Sequence, residues 1–343
     1  MLKETGPDVS ASRQDEAAHV AGNGQQRKLK RVLLSLFLLG LCLLPLVLNN
    51  YYQFVLNTML VYVLVAIGFN IVIGYLGQLA FANAAFFGIG AYATGLSMAH
   101  FGLPFLLAMV VGTVAGGIAG ALLGLPALRV KGYYLAIITL AVGELMRWFY
   151  VHADKITFGP GGFNIPDVSL FGQVLEDRGK YYLFLLIVSV ALTATSLLLR
   201  SRYGRAFVAI RNNEMAAASL GIRVSRSKVL AFMWSGLIVG LAGALFASLN
   251  GRVSPDTFGL AQMLMHFSIV VIGGMGSLTG SVIGAVLLTG APELLRNFPG
   301  LEEIVFSLVL IIVLFFMPKG LGGLAARYLP FMRERLYRSS DHA

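Results

Sequence analysis

Residues 200–228, RSRYGRAFVAIRNNEMAAASLGIRVSRSK, form a long charged segment with apolar runs of membrane length on both sides. Seven of these residues are basic (Arg200, Arg202, Arg205, Arg211, Arg223, Arg226, Lys228) against one acid, Glu214. Lys and Arg concentrate on the cytoplasmic side of membrane proteins, so this loop belongs in the cytoplasm and orients the rest of the chain. Within it, Asn213 is an N-cap candidate and Glu214 stands in the first turn, where a negative charge suits the helix dipole. Met215, Ala216 and Ala217 then open a run of helix formers that Gly221 stops at a C′ position. A helix of about two turns is marginal alone in water, because nucleation costs more than so few hydrogen bonds return, so it needs a surface to dock on. A second polypeptide is the natural surface; a solvated basic loop that merely satisfies topology is the plainer reading.

Hydrophobic residues make up 57% of the chain and charged residues 12%, with mean hydropathy +0.78, far more apolar than a soluble protein. The fold class is therefore all-α and polytopic in a membrane. A net charge of +10 invites a nucleic-acid partner, but 20 of the 26 Lys and Arg fall in segments assigned to the cytoplasmic face. Topology and contact with the lipid bilayer account for that excess without nucleic acid. Cys42 is the single cysteine, which excludes a disulfide or a thiolate metal site within one chain.

Apolar runs of roughly 15–25 residues define about ten candidate spans, or eight to ten if some are broken or re-entrant. They lie near 32–49, 54–73, 79–99, 104–127, 133–152, 181–200, 229–249, 261–275, 278–292 and 301–317. With 200–228 inside, alternation also places Arg129 and Lys131, the N-terminal cluster and the C-terminal Lys319, Arg327, Arg333, Arg335 and Arg338 inside. The chain then divides into a disordered cytoplasmic tail (1–31), a transmembrane domain (32–318) with its loop 201–228, and a basic cytoplasmic tail (319–343). The run 32–49 reads as a retained first span, since no small-residue cleavage site follows it. On the outside lies a loop near 153–180, mixed in charge and carrying the turn-forming Gly159-Pro160-Gly161-Gly162. It is either a docking loop or a connector.

Two segments are rich in glycine: 74–96, and the junction of the short spans 261–275 and 278–292, with Gly273, Gly274, Gly276 and Gly280. Glycine-interrupted apolar segments mark broken helices whose freed backbone faces a cavity. The residues 73–79 (IGYLGQL) echo 272–278 (IGGMGSL), and 117–122 (GIAGAL) echo 240–245 (GLAGAL). Gly74, Gly77, Gln78 and Asn83, with Gly273, Gly274 and Gly276, are the candidate pathway lining, because bare backbone and amides there can meet a polar solute. Asn70, Gln262 and His266 belong with them, and each can equally tie helices together. Glu144 and Arg147, one turn apart within an apolar run, form a candidate intramembrane ion pair, structural rather than substrate-binding.

No G-x-x-x-x-G-K-[ST] motif is present, so this chain does not hold ATP through a P-loop, and the five histidines are scattered without metal-ligand spacing. Neither a catalytic site nor a metal site is indicated.

Taken together, IGYLGQLAFANAAFFGIGAYATGL, LRVKGYYLAIITLAVGELMR, GRAFVAIRNNEMAAASLGIRVSRSKVLAF, GLAGALFASLNGRVSP and VVIGGMGSLTGSVIGA resemble the permease subunits of branched-chain amino acid ABC importers, the M-type more than the H-type. The resemblance covers roughly residues 32–319. It implies an inner-membrane subunit of a heteromeric importer, with an H-type permease, two cytoplasmic ABC ATPase subunits and a periplasmic solute-binding protein as partners. ATP and Mg would be used by the ATPase subunits, with no cofactor on this chain. Arg205, Arg211, Asn213, Glu214, Met215, Ala216, Ala217 and Gly221 would then make the ATPase-coupling loop. The spelling departs from the general importer pattern of Glu-Ala-Ala, three residues and Gly: Met215-Ala216-Ala217 fills the triplet, and Glu214 stands one place early. A urea or short-chain amide permease is the alternative within the class; an ion-coupled carrier, which needs several buried carboxylates, or a passive channel lies outside it.

Overall fold

A computed structural model describes residues 40–41, 43–46, 48–130, 132–170, 173–295, 308, 311 and 320–323. The N-terminal tail, Cys42, Lys131, most of the runs 32–49 and 301–317, most of the C-terminal tail and its basic cluster lie outside the described residues. By contact the chain divides into residues 1–51 and residues 52–343; of the first unit only a few residues are described, and the helical bundle belongs to the second.

The described fold is helical, apart from two pairs of two-residue strands. Its main helices are α1 (Asn50–Asn70), α2 (Asn83–Phe101), α3 (Phe105–Gly124), α4 (Tyr133–His152), α5 (Asp177–Arg200), α6 (Arg202–Asn212), α7 (Glu214–Ser219), α8 (Val224–Asn250), α9 (Leu260–Gly273) and α10 (Leu278–Leu295). Among the described residues, five helical segments are long and apolar enough to cross a membrane: α1 with its extension to Tyr75, α3 extended to Arg129, α4, α5 and α8. The helices α9 and α10 are shorter, and a tight glycine turn joins them.

α1 is the centre of the bundle: residues 61–76 are buried without a break. A lipid-facing helix exposes one side, so a helix apolar all round and buried all round is a core element. The closest packing joins α3 to α8, with α2 against both. It is made by stripes of glycine four residues apart, which let backbones approach within contact. A Cβ on Gly116 would meet the carbonyl of Gly236, and one on Gly236 the carbonyl of Gly116. Gly90 of α2 meets Gly240 of α8 in the same way. The echoed segments 117–122 and 240–245 thus belong to two helices that face each other.

The two ends of the bundle differ. At one end, Phe163 and Asn164 pair antiparallel with Val253 and Arg252, joining the long loop after α4 to the turn after α8. Arg252 also donates to the Gly161 carbonyl at 2.6 Å. That loop is therefore structured. At the other end lie α6 and α7, the start of α8 and the segment 70–78.

Candidate functional site

The charged loop folds as two short helices. α6 starts on Ser201, whose hydroxyl accepts from the Tyr203 amide at 3.1 Å, and buries Phe207 and Ile210. Asn213 then caps α7: its Oδ1 accepts from the amides of Met215 and Ala216, each at 3.0 Å. At the other end Gly221 takes φ +81°, Ile222 donates to the Ala217 carbonyl and Gly221 to that of Ala218. This bond pattern is a Schellman motif, which needs a left-handed residue at C′. Six residues of helix are thus closed at both ends by local chemistry.

Two longer-range contacts fix these helices to the bundle. The Glu214 carboxylate lies 3.0 Å from the ammonium of Lys228, a fully buried residue in the first turns of α8. Lys228 also donates to the Ala127 carbonyl at 3.3 Å. Arg211, at the end of α6, donates to the Gly74 carbonyl at 2.5 Å, and its stem lies against Gly77, where a Cβ would come within 2.6 Å of its Cγ. Of α7 itself only Ala217 is buried; Met215 and Leu220 are 80% and 81% exposed. Arg205 is exposed too and donates to the nearby Arg200 carbonyl, at 3.4 Å.

Beneath Arg211 the central helix breaks. α1 widens into a π-helical turn over Ile71–Tyr75, Gly77 turns the chain with φ +72°, and no helix resumes until Asn83. π-turns relax the backbone ladder and recur at functional sites. The second glycine segment packs onto this break. Asn70 accepts from the Gly276 amide at 2.8 Å and donates to the Ser277 carbonyl at 2.9 Å and the Ser281 hydroxyl at 2.6 Å. Gly74 has no room for a Cβ between Asn70 and Gly276. The matched glycines of the two echoes, Gly77 and Gly276, share a left-handed backbone, with φ +72° and +84°. Gly273 meets Gly280 where α9 and α10 approach, and Gly274, with φ +115°, offers its carbonyl to Asn70 at 3.5 Å. The predicted residues Gly74, Gly77, Gly273, Gly274 and Gly276 therefore form one cluster. Gln78 lies beside it, its Oε1 buried and without a partner among the described residues.

Asn83 sits elsewhere. It opens α2 near the middle of the bundle, beside His266 at the midpoint of α9, with Nδ2 3.1 Å from Nδ1 of the ring. On the far side of the ring Gln262 lies 3.0 Å from Nε2 and donates to the Tyr62 hydroxyl at 2.8 Å. Glu144 and Arg147 do pair, at 3.6 Å, but on a surface about 40% exposed at the opposite end from the charged loop. There Arg147 also holds Asp256 of the turn after α8, at 3.2 Å. Sequence reasoning missed Lys228, Tyr62, Ser281 and Asp256 as partners. Each contact spans 14 residues or more, and no local pattern announces it.

The family model described as branched-chain amino acid transport system / permease component matches residues 51–318. The chain belongs to this family. It is 35% identical over 309 residues to the high-affinity branched-chain amino acid transport system permease protein LivM of Salmonella typhimurium, covering 83% of this chain and 71% of that protein. The LivM of Escherichia coli is 34% identical, over 81% of this chain and 69% of its own. LivH of Escherichia coli is 28% identical over 76% of this chain and 91% of its own, so the M-type likeness is the stronger. No solved structure matches. As a member of this permease family with several membrane-length helices, the chain is a multi-pass membrane protein.

Proposed function

We propose that this permease carries branched-chain amino acids across the bacterial inner membrane, paired with an H-type permease and driven by two cytoplasmic ABC ATPase subunits, with a periplasmic binding protein delivering the substrate. The observation that carries this reading is α7: a short helix capped at both ends, exposing Met215 and Leu220, and pinned to α8 by the buried Glu214–Lys228 pair. A marginal helix held rigidly with apolar side chains outward is built to receive a partner. The charge of the loop puts that partner in the cytoplasm, where ATP is available. Closure of the ATPases would move α6 and α7 as a body and, through Arg211, act on the broken end of α1. Nucleotide and Mg belong to the ATPases. On this reading residues 32–318 are the permease domain, with both tails cytoplasmic.

The test is copurification from detergent of the wild type against a Met215→Arg/Leu220→Arg variant, which touches only exposed side chains. Wild type should bring down an ATPase and a leucine-binding protein, and the variant should lose the ATPase while its melting temperature is kept. A folded wild type that captures no ATPase would remove the coupling role. An ATPase captured with a urea-binding protein would keep the machine and change the cargo.

A further inference from the structure

The cluster Tyr62, Asn83, Gln262 and His266 lies in the middle of the bundle and takes no part in the contact between Arg211 of α6 and the break in α1. Tyr62 stands near the middle of α1 and His266 near the middle of α9, and both are buried. Residues 76–82 run without helix from the broken end of α1, and α2 begins at Asn83, inside the bundle rather than at its edge. The Phe81 amide, donating to Thr139 at 2.7 Å, holds this entry in place.

We propose that this cluster is the subsite for the polar head of a zwitterionic α-amino acid passing through the chain, with the first turn of α2 facing the carboxylate. The proposal rests on the reading of the cargo as a branched-chain amino acid. One observation is the start of the helix. Its cap residue, Ala82, has no side-chain acceptor, and the amides of Ala84 and Ala85 have no acceptor among the described residues. First-turn amides without partners inside a bundle, at the positive end of a helix, favour an anionic group.

A second observation is independent of the helix. An uncharged imidazole has one N–H and one lone pair, yet amide nitrogens are placed against both ring nitrogens of His266. One amide must present its oxygen instead. Gln262 can be the one reversed, because the Tyr62 hydroxyl donates as well as accepts, and Asn83 Nδ2 then keeps its contact with the ring. Asn83 Oδ1 is then left without a partner among the described residues. Asn83 is only 1% exposed, so this leaves a buried acceptor unmatched. Buried polar side chains are for the most part partnered, so an unmatched acceptor calls for more than a tie between helices.

The ligand class follows from what surrounds the cluster. Tyr62, Asn83 and Gln262 are uncharged side chains and His266 is in no salt bridge among the described residues, so the cluster itself supplies no counter-charge to a ligand. A zwitterion brings its own balance: the carboxylate to the amides of α2, the ammonium to the Tyr62 oxygen and an amide oxygen. The aromatic rim suits a branched aliphatic side chain. Phe87 meets the His266 ring edge-on at 5.2 Å and packs against Phe246 at 5.0 Å and Phe258 at 5.8 Å. Here the side chains bond one another; a ligand would take over the Asn83–His266 contact.

The deciding experiment reconstitutes the importer complex that copurifies with the chain and measures ATP-driven uptake of L-leucine and ATP hydrolysis together. Wild-type leucine uptake comes first: uptake of urea instead would overturn the substrate reading and the zwitterion assignment before any variant is made. With wild-type uptake in hand, Gln262→Leu should cut leucine uptake about 10-fold or more while ATP hydrolysis stays within about twofold. Unchanged uptake, or parallel loss of uptake and hydrolysis in an intact complex, would overturn the proposal alone. If Gln262→Leu does not assemble, Asn83→Cys in a Cys42→Ser background decides. Millimolar leucine should slow its modification by a small thiol reagent during turnover, and equal rates with and without leucine would overturn the proposal.

Discussion

Replacing Glu214 by alanine strands the Lys228 ammonium in a fully buried position with the Ala127 carbonyl as its remaining partner among the described residues. At the observed 3.0 Å separation the attraction is about 5 kcal/mol for an effective dielectric near 20. Removing one member of a buried pair costs about 3–5 kcal/mol, because the charge left behind is uncompensated. The Glu214 side chain is 23% exposed, so water can enter as it leaves, and the expected loss falls to about 2–3 kcal/mol. That loss is local, since α7 has too few turns to persist undocked. A loss of about 2 kcal/mol is about 30-fold in the opening equilibrium. Hydrogen exchange of amides 214–221, followed by mass spectrometry on the detergent-solubilised complex, should therefore quicken by about that factor in Glu214→Ala. The double variant Glu214→Ala/Lys228→Met removes the buried charge as well and should recover most of the protection. If Glu214→Ala exchanges like wild type, or the double variant is no better than the single, the ion pair does not hold the loop.

The remaining expectations test the break, the cap and the packing. Gly221→Val meets no atom within 4 Å but forces a β-branched residue to φ +81°, at about 1–2 kcal/mol; the complex should still assemble, with uptake lost relative to ATP hydrolysis in proteoliposomes. Gly74→Ala drives a methyl between Asn70 and Gly276, breaks the tie between the two glycine segments and should lower the melting temperature by more than Gly221→Val does, an overpacking cost of about 1–3 kcal/mol being added to a lost buried hydrogen bond. Arg211→Met keeps the stem beside Gly77 but loses the bond to the Gly74 carbonyl; ATPase capture should survive in a pull-down while leucine uptake per ATP falls. Gly116→Leu puts a side chain into the Gly236 carbonyl and should abolish the folded protein in size-exclusion profiles.

Much of the fold was legible because the signals were local or compositional. The apolar run 133–152 became a helix with those bounds, and the capping pattern placed α7 between Asn213 and Gly221, since a cap depends only on residues a few positions away. Two glycine segments that echo each other came out with a left-handed glycine at the matched position, because glycine adopts that backbone without strain. The pathway residues divided in a way that spacing did not foretell: the glycines gathered at one end of α1, while Asn83 went to His266 in the middle of the bundle. The predicted pair of Glu144 and Arg147 forms on a partly exposed surface and shares Arg147 with Asp256, an acid too distant in the chain for helical spacing to reveal.

Sequence alone settled that the chain is an all-α membrane protein, which loop is charged, where helices start and stop, and that it belongs to a permease family. Composition, periodicity and caps act over a few residues, and each is written in consecutive letters. Tertiary structure decided which helix is central, that Lys228 is buried against Glu214, that Arg211 reaches Gly74, and that Asn70 clamps Gly276. These contacts join residues 14 to more than 200 positions apart. They exist because glycine stripes let the helices approach within reach of one another, and only the packed bundle determines which side chains then meet.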